Sequence, residues 1–260
     1  PMGMENGAPI LDDLGNVEYF YDRGIRYITL THAKDNLICD SSYDTTGTWG
    51  GLSPFGRKVV KEMNRVGIMV DISHVTDDVI NQVLDMTDVP VIASHSSCRH
   101  FTPGWERNMG DAEIRRLKDN GGVIQINYGS SFVTQEAQDK RKANGEKIAA
   151  YAKENGLGND DETLKTYAEK VNAENPMYAD ITEVVDHIDR VVALAGIDHV
   201  GIGSDYDGVG DSLPYGLKDA SSYPNLIFHL LKRGYSEEDI EKICYKNVWR
   251  VWSAVEVAAN

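Results

Sequence analysis

The feature that most constrains this chain is a series of short, nearly all-apolar runs, each finishing on a polar or ionisable residue. They are "MGME" (2–5), "RYITLTH" (26–32), "GIMVDISH" (67–74), "PVIASHS" (90–96), "GGVIQINYG" (121–129) and "HVGIGSD" (199–205). A strand without polar alternation has no face to give to water, so it belongs in a parallel sheet covered on both sides. The segments between the runs have helical spacing instead. "PFGRKVVKEMNRVG" (54–67) places Val59, Val60 and Met63 on one face, "DDVINQVLDM" (77–86) follows, and "DAEIRRLKDNGG" (111–122) closes on C-cap glycines. Strands alternating with single helices predict βαβ units and an α/β fold.

The rhythm breaks between Thr134 and Tyr178. This stretch is charged and alanine-rich, and reads as two or three surface helices inserted after a strand. A solvated elaboration is the simplest reading, with a lid or an oligomer contact as alternatives. From Asp180 the pattern resumes with the amphipathic "ITEVVDHIDRVVALAG", and the tail carries helical "NLIFHLLKRG" and "SEEDIEKICYKNVWRVWSAVE". A length of 260 residues suits one large domain. The net charge of −15 argues against a nucleic-acid partner. Cys39, Cys98 and Cys244 are too few and too scattered for a disulfide framework or a zinc knuckle. No run approaches the ~20 apolar residues of a membrane helix, and no signal peptide is visible.

Aligned by their ends, the runs finish at Glu5, His32, His74, His95, Asn127–Tyr128 and Asp205. In a (β/α)8 barrel that end of the strands faces the active site. His74 and His95 come from consecutive strands and would be neighbours there. Two imidazoles and a carboxylate suit a zinc-type site better than a calcium site. Hydrolysis is the chemistry such a pocket supports most readily. Asp205 could carry a proton and a non-ligand imidazole could support an oxyanion. Arg107, in "WERNMGD", follows the His95 strand and could clamp a substrate carboxylate, or equally cap the next helix. Trp105, Tyr128 and Phe132 either wall this pocket or pack in the core.

These motifs, "MENG" with "GIRYITLTH", "GIMVDISHVT", "PVIASHSSCRH", "RNMGD" and "HVGIGSDYDG", resemble in order and spacing those of the membrane (renal) dipeptidase family of the amidohydrolase superfamily. The resemblance covers essentially the whole chain. It implies a single metal-dependent hydrolase barrel over 1–260, with a binuclear zinc site that cleaves dipeptides through a metal-bridging hydroxide. Glu5 then resembles the carboxylate bridging two zinc ions, and His74 and His95 the imidazoles of one of them. Asp205 resembles the proton-handling acid, His32 the imidazole that binds substrate and stabilises the tetrahedral intermediate, and Arg107 the carboxylate-binding arginine. The family's first strand ends in a His-x-Asp pair that completes the second metal, and no apolar run here ends in one. Six strand–helix units are legible where a barrel has eight, so the expectation is that the first two lie upstream of Pro1.

The leading expectation is a zinc dipeptidase of bacterial type, exported or cytoplasmic, with a homodimer as the family resemblance implies. A non-catalytic barrel fragment acting as a binding or assembly module, and a hydrolase of related amides or lactams, stay open beside it.

Overall fold

The computed structural model of the protein describes residues 2–259. Six parallel strands form one sheet in chain order: β1 (Met2–Glu5), β2 (Ile25–Thr29), β3 (Met69–Asp71), β4 (Ile92–Ser96), β5 (Val123–Ile126) and β6 (Val200–Ile202). Each strand pairs with the next, and β1 and β6 are the two edges. This is the strand order of a (β/α)8 barrel, with six of its strands among the described residues. The two units expected ahead of Pro1 lie outside those residues.

The helices follow the spacing of the sequence. They are α1 (Gly15–Asp22), α2 (Pro54–Val66), α3 (Asp77–Met86), α4 (Asp111–Asn120), the short α5 (Ser130–Val133), α6 (Gln135–Asn155), α7 (Glu162–Glu174), α8 (Ile181–Ala195), α9 (Tyr223–Lys232), α10 (Glu237–Glu241) and α11 (Asn247–Ala258). A turn of π-helix, Lys242–Lys246, joins the last two. Helix α2 shows how local chemistry sets the boundaries. The Ser53 hydroxyl accepts the Gly56 amide, Pro54 fills the first turn, and Gly67 ends the helix at φ 89°. Its buried Val59, Val60, Met63 and Val66 pack under the sheet, each contributing about 1.5–3 kcal/mol by leaving water.

Alternate strand residues serve two cores. Ile28, Val70, Ala93, Ile124 and Val200 join the main cluster with the surrounding helices. Met69, Ile92 and Val123 point inward, where Val251 and Val255 of α11 pack against them. The apolar end of the sheet's interior is thus plugged by the chain's last helix. Thr29, Ser94 and Gln125 line the interior beyond it. The inserted stretch forms α6 and α7, which pack on each other. Buried Asn144 of α6 donates to Asn172 Oδ1 and to the Asn175 carbonyl, tying the pair together.

The strands stop sooner than their apolar runs. Only Glu5 and His95 lie within strands, while His32, His74 and Asp205 each sit three residues beyond one. For β3 the cause is visible. Asp71 turns its carboxylate back to accept the Ser73 amide at 3.0 Å, and the chain leaves the ladder before His74.

Candidate metal and active site

The polar ends do converge. Glu5 Oε1 lies 3.0 Å from His74 Nε2 and 3.1 Å from His95 Nε2, and the two ring nitrogens are 2.8 Å apart. His32 joins from the other side, with Nε2 3.6 Å from Glu5 Oε1 and its ring 4.3 Å from that of His74. Glu5, His32 and His74 offer donor atoms that all fall within 4.8 Å of one another. His74 and His95 are buried, whereas the Glu5 and His32 side chains are about half exposed at 47% and 45%.

Local irregularities bring these groups together. In β4, Ala93 pairs with Ile124 and Ser96 with Ile126, so three steps on one strand oppose two on its neighbour. This bulge turns consecutive residues, Ser94 and His95, toward the same interior, which a regular strand cannot do. His74 and Asp205 both adopt left-handed backbone, at φ 70° and 57°. Such conformations cost about 1–3 kcal/mol each, and they concentrate where a side chain must be aimed.

Behind the cluster stands a residue that motif reasoning passed over. Asp71 is fully buried, and its carboxylate accepts four hydrogen bonds. Oδ1 takes the Ser73 and Ser94 amides at 3.0 and 2.9 Å; Oδ2 takes the Thr29 and Ser94 hydroxyls at 2.6 and 2.5 Å. The single Ser94 hydroxyl proton is therefore used on Asp71. Ser94 Oγ, 2.7 Å from His95 Nδ1, must accept from it. That fixes the His95 proton on Nδ1 and leaves a bare lone pair on Nε2, facing Glu5 and His74. The signal was present in "VDISH": an acid inside an otherwise apolar run needs a buried partner.

Protonation states agree with a ligand role. Burial pushes His74 down to about 3, with the Glu5 hydrogen bond opposing, so the ring is neutral at physiological pH. The His74 hydrogen bond, with the His95 imidazole beside it, holds the Glu5 carboxyl well below the usual carboxylate range. Tetrahedral zinc with bonds of 2.0–2.1 Å sets donors about 3.3 Å apart. Glu5, His74 and His95 stand 2.8–3.1 Å apart, a few tenths of an ångström inside that value, so the donor set fits a divalent cation in chemistry and nearly so in spacing.

A cavity of about 500 Å³ opens on this cluster, lined by Glu5, His32, His74 and Asp205 together with Tyr43, Phe132 and Arg141. Its size is that of a small-molecule site. Asn127 Nδ2 donates to Asp205 Oδ2 at 2.8 Å, fixing one carboxylate oxygen. Gly208 lies so close that a Cβ there would stand 2.0 Å from Asp205 Oδ1. Phe132 lies on the wall, with the Trp105 ring 4.9 Å from its own in an adjoining cavity, whereas Tyr128 is fully buried in the core.

Arg107 is 2% exposed and is a wall rather than an open arm. Its Nη1 donates to Ser96 Oγ at 2.9 Å and its Nη2 to the His95 carbonyl at 2.8 Å, with the guanidinium 5.1 Å from the Phe132 ring centre. Burial lowers its pKa, and it stands beside the Tyr43 phenol, whose own pKa burial raises. One His-x-Asp does occur in the chain, His187-Ile188-Asp189, but it lies on α8. There the Cys98 amide donates to His187 Nδ1, and His187 Nε2 donates to the Val133 carbonyl. His187 thus ties the segment after β4 to α5, and neither residue is among the cluster's donors.

The family model described as Membrane dipeptidase (Peptidase family M19) matches residues 1–260. The dipeptidase tcpJ of Claviceps purpurea is 39% identical over 259 residues, covering 98% of this chain and 51% of that protein. An uncharacterized dipeptidase of Schizosaccharomyces pombe is 35% identical over 261 residues, covering 99% and 53%. The chain thus spans about half the length of these curated relatives. The crystal structure of the probable dipeptidase PvdM from Pseudomonas aeruginosa superposes with a TM-score of 0.83 at 30% identity, covering 99% of this chain and 69% of that one.

Proposed function

This chain belongs to the membrane dipeptidase family, peptidase family M19, and on that footing we propose that its protein is a zinc-dependent hydrolase of dipeptides bearing a free C-terminal carboxylate. The observation that carries the reading is the convergence of Glu5, His74 and His95 within 3.1 Å of one another, with Glu5 and His74 lining a dipeptide-sized cavity.

In this reading Glu5, His74 and His95 hold the metal, with His95 kept in the ligating tautomer by Ser94 and Asp71. Bound zinc would acidify a water molecule and polarise the scissile carbonyl. The residues of the chain do the rest. Asp205 has one oxygen fixed by Asn127 and takes a proton on the other, then returns it to the leaving amine. His32, half exposed and lining the same cavity as Asp205, donates to the oxyanion of the tetrahedral intermediate. Arg107 places positive charge behind Phe132 and Tyr43, in support of the substrate's C-terminal carboxylate.

The test uses the full-length protein purified without chelator. Zinc per chain is measured by elemental analysis, and hydrolysis of Ala-Ala is compared with that of its C-terminal amide. The expected result is bound zinc and turnover of the free acid alone, both lost in Glu5→Gln and His74→Asn. Equal turnover of acid and amide would remove the carboxylate requirement. Wild-type zinc content in both variants would remove the ligand assignment.

A further inference from the structure

Resting on the dipeptidase reading, the geometry points to Arg141 as a recognition residue for a substrate side-chain carboxylate. Arg141 lies on α6, in the inserted stretch, and lines the cavity with Tyr43 and Phe132.

Two cavities meet at Arg141. One contains Glu5, His32, His74 and Asp205; the other, of about 360 Å³, runs over Trp105, Ser131, Gln138 and Lys142. Tyr43, Phe132 and Arg141 line both. The passage between them has an aromatic wall, with the Tyr43 and Trp105 rings 6.3 Å apart and Trp105 against Phe132 at 4.9 Å. An apolar passage with a guanidinium beside it matches a side chain made of a short methylene stem and a carboxylate.

The electrostatic state of Arg141 supports the same assignment. Arg65, Arg99, Arg116, Arg190 and Arg233 each pair with a carboxylate. Arg141 is exposed and has no carboxylate within 4.0 Å among the described residues; its contact is Ser131 Oγ at 3.4 Å. The neighbouring Lys142 likewise has no ion-pair partner among them. Arg107, by contrast, is buried and already donates to two protein acceptors, with its remaining N–H groups behind the cavity wall. The exposed guanidinium that lines the cavity is Arg141. A bidentate pair with a carboxylate is the strongest contact it can make.

The ligand class is thus a dipeptide with an aspartate or glutamate side chain. The competing source of a carboxylate, the substrate's own C-terminus, is separated by the choice of ligands. Phosphinate mimics of Ala-Glu, Ala-Gln, Glu-Ala and Ala-Ala are titrated by calorimetry into the metal-loaded full-length protein, wild type and Arg141→Ala, Arg141→Lys and Arg141→Glu. Wild type is expected to bind the better-placed acidic mimic about tenfold or more tightly than its neutral counterpart, as a charge-assisted pair supports. That ratio should fall to within about twofold in Arg141→Ala, be partly kept in Arg141→Lys, and invert in Arg141→Glu. It should also shrink in wild type at high salt, which tests the charge without any variant. A wild-type ratio near one, or one that survives Arg141→Ala, overturns the assignment. So does an equal loss for all four mimics, which would make Arg141 a clamp for the C-terminus. If no mimic binds wild type, the dipeptide reading falls and takes this inference with it.

Discussion

Replacing Asp71 by asparagine changes one oxygen to NH₂ at constant shape, inside a site that offers four donors and no acceptor. The Ser73 and Ser94 amides cannot rotate, so the remaining oxygen must stay on them. The new NH₂ then faces the Thr29 and Ser94 hydroxyls, which can turn to accept. Two hydroxyls lose a charged acceptor for a neutral one. At about 1 kcal/mol each, this is a stability loss of about 2 kcal/mol. The consequence for the metal is more specific. Ser94, now accepting from residue 71, has its proton free for His95 Nδ1 and drives the ring's own proton onto Nε2, the atom that faces Glu5 and His74. Zinc would have to reverse that arrangement, and the cost expected for losing such a supporting carboxylate is about 10–100-fold in affinity. The assay is competitive chelator titration of zinc, with denaturant unfolding in parallel and ¹⁵N chemical shifts of His95 reporting the tautomer. Because Ser94 is the intermediary, Asp71→Asn should weaken zinc no further in a Ser94→Ala background. A folded Asp71→Asn protein with wild-type zinc affinity would refute this chain of reasoning.

Two further outcomes follow from other sites. His187 is fully buried and lowered from 6.5 to about 4 by burial, with the Val133 hydrogen bond opposing. Above pH 6.5 it is neutral folded or unfolded. Between there and about pH 4 only the unfolded chain takes the proton, so stability should decline by up to about 3 kcal/mol and then level off. Urea unfolding across this range should show that decline, and its persistence unchanged in His187→Gln would assign it to other groups. At Gly208, an alanine Cβ would stand 2.0 Å from Asp205 Oδ1, so Gly208→Ala should displace that carboxylate. Dipeptide turnover is expected to fall about tenfold or more, the size of a general acid–base contribution, while zinc content holds. Parallel loss of both would show that Gly208 supports the metal cluster instead.

What was legible in the sequence, and what was not, divides along a physical line. Val59, Val60 and Met63 announce α2 because helical spacing is a local property, and the apolar runs announce strands for the same reason. His74 and His95 could be paired because consecutive strands of a parallel sheet are neighbours. The strand ends were misjudged by three residues at His32, His74 and Asp205, since the turn after β3 depends on a side chain, Asp71, reaching back to its own backbone. The bulge that turns both Ser94 and His95 inward depends on register with β5, which no residue in β4 declares. Nothing in "WERNMGD" shows that Arg107 is buried, because its acceptors on Ser96 and His95 meet it only in three dimensions. Arg141 carried no local sign at all. Within "DKRKANG" it reads as one more charge on a solvated helix, and only the docking of α6 beside Phe132 gives it a cavity to face.

The same line separates what stabilises the molecule from what aims its site. Three departures from regular backbone geometry, the β4 bulge and the left-handed residues His74 and Asp205, fall on proposed site residues. Each is held by bonds that regular structure would not need. The His74 carbonyl accepts the Ser42 amide at 2.8 Å and the Ser42 hydroxyl at 2.9 Å, while the Asp205 carbonyl accepts the Gly208 amide at 3.1 Å. Strain of about 1–3 kcal/mol per residue persists only where such clamps over-determine it. The energy that supports them comes from the opposite end of the interior, where Val251 and Val255 of α11 close on Met69, Ile92 and Val123. Truncating that apolar plug should therefore lower stability with little effect on the turnover of the remaining folded protein. Loosening a clamp such as Ser42 should do the reverse, because it frees His74 to relax out of its left-handed backbone and away from Glu5.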